Sequence, residues 1–313
     1  MKRNIGLDIT KLILSFMVVG IHTHFLKDIS SQANQLLENG LFTIAVPVFL
    51  LINGFFFYDS FTKNKVKQWF KYAIFLYLFW TLFYSFAWFD INNISFIKIF
   101  KICFFGYMHL WYLTAMIGAG FMSLYFIKLS LKIQVFIAIL LYMLGIIFEY
   151  IYVYYPISNE LIMKILSYPE FRINFLFVGF PYFFTGILIK KYNLYNKITI
   201  TTITKYLLVS FVLLFTESLI NFNHDINNLF SDIFVASLLL IFLLKLNFQG
   251  NSKEIASYSA GVYFIHFAFV LMMERYFGFV ENSLSTLIVF ALSLLSTFFF
   301  LKLKSYYIKL SLK

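Results

Sequence analysis

The sequence predicts an all-α polytopic transmembrane bundle of about ten spans with both termini cytoplasmic, and three observations lead there. Of 313 residues, 61% are hydrophobic and 12% charged, about half the ~25% charged share of a soluble domain. The apolar side chains include 44 Phe and 22 Tyr, more surface than water-soluble packing can hide, so lipid must solvate much of it. Apolar stretches of membrane-crossing length also recur along the chain. Finally, the basic residues sort to one side of them.

A span needs about 20 mostly apolar residues. Ten stretches qualify: 9–26, 41–59, 72–89, 109–127, 133–153, 173–189, 204–222, 229–246, 256–274 and 284–301. Met1-Lys2-Arg3 before the first run looks like the start of a signal peptide. That run is too long for a signal core, and Lys27-Asp28-Ile29 follows it in place of a small-residue cleavage site, so it reads as a retained span. Residues 96–107 are apolar but short and carry Lys98 and Lys101; they read as a helix lying in the interface.

Charge tests the topology. With the N-terminus inside and alternating spans, only Lys27, Lys98, Lys101, Lys164, Arg172 and Arg275 fall outside, and the other 19 of 25 basic residues fall inside. That asymmetry obeys the positive-inside rule. It also accounts for the net charge of +11 without a nucleic-acid partner. No internal repeat is visible, and nothing leaves room for a second domain, so residues 1–313 read as one integral membrane domain. Cys103 is the only cysteine, which excludes an intramolecular disulfide and a multi-thiolate metal site. No HExxH, paired CxxC, P-loop or GxGxxG fingerprint is present, and no metal is expected.

Ionisable groups within hydrocarbon are costly and mark function by default. In the first span, Lys11 and His22 are eleven residues apart, three turns plus about 20°, so they share one helical face about 16 Å apart along the axis. Asp8, three residues before Lys11, shares that face. Lys11 lies near the cytoplasmic surface and His22 in the outer half, where an imidazole offers acid–base chemistry near neutral pH. Glu217 lies about as deep as His22, Glu149 nearer the outer surface, and Arg172 and His109 open their spans at the outer face. These five form one stratum. His266 sits near the midplane of the ninth span. His24 faces away from His22, and His224 is in an outer loop. The inner loop with Lys63, Lys65, Lys67 and Lys71 sets topology and also suits a phosphorylated cofactor.

Several runs resemble the acyltransferase-3 family of integral membrane acyltransferases. Gly6-Leu7-Asp8-Ile9-Thr10-Lys11 followed by His22 is similar to the family's opening, a basic residue, ten residues, then a His. Val46-Pro47-Val48-Phe49-Leu50-Leu51-Ile52-Asn53-Gly54-Phe55-Phe56 resembles its second-span motif, and Lys67 to Lys71 its basic loop. His109-Leu110-Trp111-Tyr112-Leu113, and Ser257-Tyr258 through Tyr263-Phe264-Ile265-His266, match family-like patterns. Arg172, then Gly179-Phe180-Pro181 and Gly186, resembles the compact members. The chain departs from the family in carrying Lys11 where Arg is usual, and a lysine cannot make the same bidentate fork to a phosphate.

The resemblance implies a ten-helix fold in the cell membrane and an acyl-CoA donor, most commonly acetyl-CoA. The implied product is an O-acylated cell-surface glycan or lipid-linked glycan. Carried over, His22 is the catalytic histidine and Lys11 its basic companion. We expect CoA phosphates against Lys11, Lys67 and Lys71, and Glu217 or Glu149 orienting the imidazole as in a triad. Arg172, His109 and Trp111 are expected to hold the acceptor. The chain stops soon after the tenth span, as a stand-alone version would. The rival reading is a transporter or exporter of a polysaccharide or small polar solute, because intramembrane His and Glu equally suit a proton relay.

Overall fold

A computed structural model describes residues 3–90, 95–155, 157–251, 253–278 and 281–311, with side chains to residue 306. Lys2 and Lys313 of the charge inventory lie outside the described residues. The helices run in order α1 (Ile5–Thr23), α2 (Ser31–Glu38), α3 (Ala45–Thr62), α4 (Val66–Phe83), α5 (Ser85–Trp88), α6 (Phe96–Phe105), α7 (Trp111–Phe126) and α8 (Leu131–Tyr154). They continue as α9 (Glu160–Ser167), α10 (Pro169–Arg172), α11 (Phe180–Lys191), α12 (Leu194–Lys197), α13 (Ile200–Ile220), α14 (Asp232–Leu246), α15 (Lys253–Phe277) and α16 (Ser283–Ser311). Two dipeptides, β1 (Arg3–Asn4) and β2 (Gln249–Gly250), pair antiparallel. The chain is an all-α polytopic membrane protein, as its composition predicts.

Seven segments among the described residues are long and apolar enough to cross a bilayer: Ile5–Thr23, Ser31–Thr62, Leu131–Tyr154, Pro169–Lys191, Ile200–Ile220, Lys253–Phe277 and Ser283–Tyr306. Each coincides with an expected span. The 109–127 stretch is continuous with a helix before it only through a break, where Phe96–Phe105 meets Met108–Phe126 at 55°. Gly106 (φ 89°) and Met108 (φ 46°) make that corner. The two remaining stretches fall short for different reasons. The 72–89 stretch lies in α4, whose first two turns carry Lys67 and Lys71. The 229–246 stretch yields the 15-residue α14, about 22 Å at 1.5 Å per residue against a ~30 Å core. Among the described residues, seven helices, or eight with the bent pair, thus meet the length and composition that a span needs, and the count of ten stays an expectation.

The chain groups into two compact units. The first joins both ends of the sequence, Met1–Ala45 and Leu246–Lys313. Here α1, α15 and α16 pack on one another around Leu14, Val18, Val19, Val262, Phe267 and Val289, all buried. Hydroxyl pairs pin the seams: Ser15 to Ser259 (Oγ to Oγ 2.8 Å) and Thr23 to Thr286 (Oγ1 to Oγ1 2.6 Å). Helix α1 ends at Thr23, although the apolar run continues to Leu26. His24 takes the left-handed conformation (φ 52°) as its C-cap, which turns the chain out of the helix.

The second unit is Val46–Lys245. Its tightest crossing is α3 against α11. A Cβ on Gly54 would stand 1.8 Å from the Phe183 carbonyl oxygen, and one on Gly186 2.1 Å from that of Leu51. Only glycine permits that backbone contact, and close packing of this kind replaces the hydrophobic drive that lipid removes. A π-helical turn, Phe175–Gly179, follows α10. It is held by Asn174, whose side chain accepts from the Leu176 and Phe177 amides.

The status of α14 can be read directly. Asp225→Cys and Gln249→Cys, placed singly in a Cys103→Ser chain, flank that helix. They should react with a membrane-impermeant thiol reagent from opposite faces, position 225 from outside. Labelling of both from one face would show that α14 does not cross.

Candidate functional site

In the first unit, α1 begins on Asn4, whose side chain accepts from the Leu7 amide (3.2 Å). One turn on, the buried Asp8 carboxylate accepts from Arg3 Nε (2.9 Å) and Nη2 (3.1 Å) and from Lys11 Nζ (3.2 Å). Burying a carboxylate is tolerable only with such pairing. The consequence is positional, because Asp8 tethers the Lys11 ammonium at the start of the helix.

Three turns further along the same face is His22. Its ring lies beside that of His266 on α15, with centroids 5.4 Å apart and planes 32° apart. Phe267 closes edge-on at 5.3 Å. His266 is fully buried. Its Nδ1 lies 2.7 Å from the Tyr263 carbonyl oxygen, an acceptor only, so Nδ1 carries the proton and Nε2 the lone pair in the neutral ring. Within this unit the partner of His22 is therefore a second imidazole of defined tautomer. The sequence held both histidines, and a resemblance flagged each motif, but their apposition needs α1 and α15 side by side across about 240 intervening residues.

A charged cluster lies just past the end of α1. His24 Nδ1 is 2.9 Å from Glu38 Oε2, and His24 Nε2 is 3.5 Å from Glu281 Oε1. Lys27 pairs with Glu281. Asp28 accepts from the Ser283 amide (2.9 Å) and hydroxyl (2.7 Å). The hydrogen bond with Glu38 raises the His24 pKa above the ordinary 6.5, against a smaller opposing effect of burial. His24 lies past the helix, so helical periodicity does not place it; the residue ties α2 and the α15–α16 turn to the end of α1.

The second unit contains the remaining candidates. Glu149 and Arg172, both buried, form an ion pair (Nη1 to Oε2 2.5 Å). Arg172 also donates from Nε to the Leu166 carbonyl (2.8 Å) and lies 4.1 Å over the Tyr152 ring. The other Glu149 oxygen accepts from the amide and side chain of Asn227, each at 3.0 Å. Glu217 accepts from the Tyr150 hydroxyl (2.7 Å), the Phe230 amide (2.7 Å), the Ser231 amide (2.8 Å) and the Ser231 hydroxyl (2.6 Å). Both carboxylates thus hold the segment 227–231 that leads into α14. His109 is buried against the edge of the Tyr84 ring at 5.2 Å, and Trp111 is half-buried where α7 starts. Lys67 and Lys71 are exposed, one turn apart in α4. Among the described residues, no group of three or more His, Cys, Asp or Glu is placed to hold a metal.

Comparison with known proteins agrees with the motifs. The model of the acyltransferase-3 family, described as an acyltransferase domain, matches residues 4–302. An amino-acid racemase of Enterococcus faecalis is 26% identical over 309 residues, covering 89% of this chain and 43% of the racemase. The chain therefore spans less than half the length of that relative. No solved structure matches.

Two measurements follow from these contacts. Arg172→Met leaves the Glu149 charge buried without its cation and should cost about 3–5 kcal/mol in denaturant unfolding of the micelle-solubilised protein. The double change Arg172→Met with Glu149→Leu should cost less. Normal stability with lost activity in Arg172→Met would instead return Arg172 to substrate binding. The His24 contribution has a definite sign. Its folded pKa is raised, so its stabilisation is complete below 6.5 and disappears as pH climbs through the raised folded value. The Tm gap between native and His24→Gln protein should be widest near about pH 5 and close on the alkaline side. A gap that widens with pH would refute the assignment.

Proposed function

The chain belongs to the acyltransferase-3 family, and from that premise we propose that it moves an acyl group, most simply acetyl, from cytoplasmic acyl-CoA to a hydroxyl of a cell-surface or lipid-linked glycan. The observation that carries this reading is that α1 sets His22 beside the His266 ring of α15 and also presents the Asp8-tethered Lys11. One helix thereby offers a cation for a phosphate and, three turns on, a base.

In the proposed step His22 takes the proton from the acceptor hydroxyl. The hydroxyl oxygen attacks the thioester carbonyl carbon, and the carbon–sulfur bond breaks. CoA leaves as a thiolate and takes the proton back from the His22 imidazolium, so charge and protons balance. The lone-pair Nε2 of His266 suits it to accept an N–H from His22, which would fix the ring and stabilise its cation. That task was expected of Glu149 or Glu217; their observed hydrogen bonds instead support a role in holding the 227–231 segment. For the CoA phosphates we propose Lys11 in the first unit, and Lys67 and Lys71 as a second exposed basic group in the other. His109 and Trp111 remain proposed acceptor contacts.

The Enterococcus faecalis relative favours a second reading. Its name attaches to amino-acid chemistry, and the matched part is under half of it. A membrane portion that carries a free amino acid would use the same buried polar groups as a relay. Donor dependence separates the two, since a carrier needs no acyl-CoA and leaves no ester.

The deciding experiment is ester content of surface glycans in cells matched for membrane protein level. His22→Gln keeps volume and hydrogen bonding but cannot take a proton at neutral pH, so transfer should fall about 10²–10⁴-fold. Lys11→Arg should retain most activity, and His266→Gln should fall between them. Near-normal acylation in His22→Gln cells would remove His22 from the chemistry and leave the carrier reading ahead.

A further inference from the structure

A groove of about 310 Å³ lies in the second unit between α8 and α11 and reaches α12. That volume falls at the lower end of the ~300–1,000 Å³ typical of ligand pockets. Leu131, Val135 and Ile139 of α8 form one wall, and Leu188 and Ile189 of α11 the other. The α8 side chains are exposed, Ile139 by 56%, so the groove opens outward onto the lipid. At its end stand Tyr192 and Lys197, and no acidic residue lines it.

Lys128 and Lys132 are exposed near the same end of α8, and Lys197 is the lysine that lines the groove itself. Lys190 is drawn to Asp59 (3.4 Å) and lies over the Phe55 ring. Lys191 donates to the Ile127 carbonyl (2.7 Å). Tyr192 donates its hydroxyl to Gln134 (3.0 Å), which fixes the ring as part of the wall. Lys197 is exposed and has no ion pair among the described residues. By the charge asymmetry of the sequence this end faces the cytoplasm, the side whose leaflet carries anionic lipid and attracts surface lysines.

We propose that this groove is a binding site for an anionic phospholipid of the cytoplasmic leaflet, with one acyl chain between α8 and α11 and the headgroup phosphate on Lys197. An acyl chain matches the apolar walls, and a phosphate supplies the anion that the end of the groove lacks. The site uses none of the groups assigned to acyl transfer, so it stands or falls separately from that activity.

The test is lipid retention by the full chain, extracted from nanodiscs of equal phosphatidylglycerol and phosphatidylcholine and weighed by native mass spectrometry. Phosphatidylglycerol should remain bound in preference. Lys197→Gln should lower its retention about fivefold, the order expected for one lysine at an anionic surface, and Ile139→Trp should lower it by filling the groove from an exposed position. Lys304→Gln, a basic residue exposed in the other unit, should have no effect. Equal retention of both lipids would overturn the proposal, as would equal losses from Lys197→Gln and Lys304→Gln. An unaffected Ile139→Trp would show that charge alone acts, without the groove. Displacement of the lipid by CoA would assign the groove to the donor instead.

Discussion

Hydrocarbon cannot hydrogen-bond, so a charge carried into this bundle needs its partner in protein. The result is visible at three carboxylates, Asp8 and Glu149 buried and Glu217 half-buried. Asp8 collects Arg3 and Lys11. Glu149 collects Arg172 and Asn227. Glu217 takes four hydrogen bonds from a tyrosine, a serine and two backbone amides. Each cluster then acts as a fixed point, and the segments between them have little choice of path. The loop entering α14 is an example: the buried Glu149 and the half-buried Glu217, from different helices, hold its amides, so its position follows from theirs.

The same solvent removes the usual drive for helix association, because lipid tails are as apolar as leucine. Close approach has to supply the packing energy instead. Gly54 and Gly186 show how: each meets the backbone of the opposing helix where a single methyl group would not fit. In the first unit hydroxyl pairs also mark the seams, Ser15 with Ser259 and Thr23 with Thr286. Those hydroxyl pairs align α1 with its neighbours, and that alignment places the His22 ring beside His266. A catalytic reading of His22 therefore rests on seams that carry no chemistry themselves.

Ionisable groups at one depth can belong to chemistry or to architecture, and the hydrogen bonds of this protein assign several of them to architecture. His22 and His266 lie against aromatic edges, with one ring's tautomer set by a backbone carbonyl, and acid–base chemistry at this pair is the proposed role. The Glu149–Arg172 pair is satisfied on both sides, which suits it to holding structure. Depth in the membrane does not separate these cases. Hydrogen-bond saturation does, because a side chain whose donors and acceptors are all used has little left to offer a substrate.

Composition and periodicity determined the membrane, the helical class, the place of most spans and the single face shared by Lys11 and His22. All of these depend on local quantities: run length, charge along the chain and 100° per residue. The outer stratum of Glu149, Glu217, Arg172 and His109 was legible as a depth, though not as a set of contacts. The tertiary structure alone decided that His22 faces an imidazole and that Glu149 faces Arg172, since each pair joins different helices that only folding brings together. It also ended α1 at His24, because an αL cap with ligands on α2 and the α15–α16 turn overrode two further apolar residues. Local patterns say how far a helix can run and which side it shows; which side chain waits opposite depends on packing, and packing is a property of the whole chain.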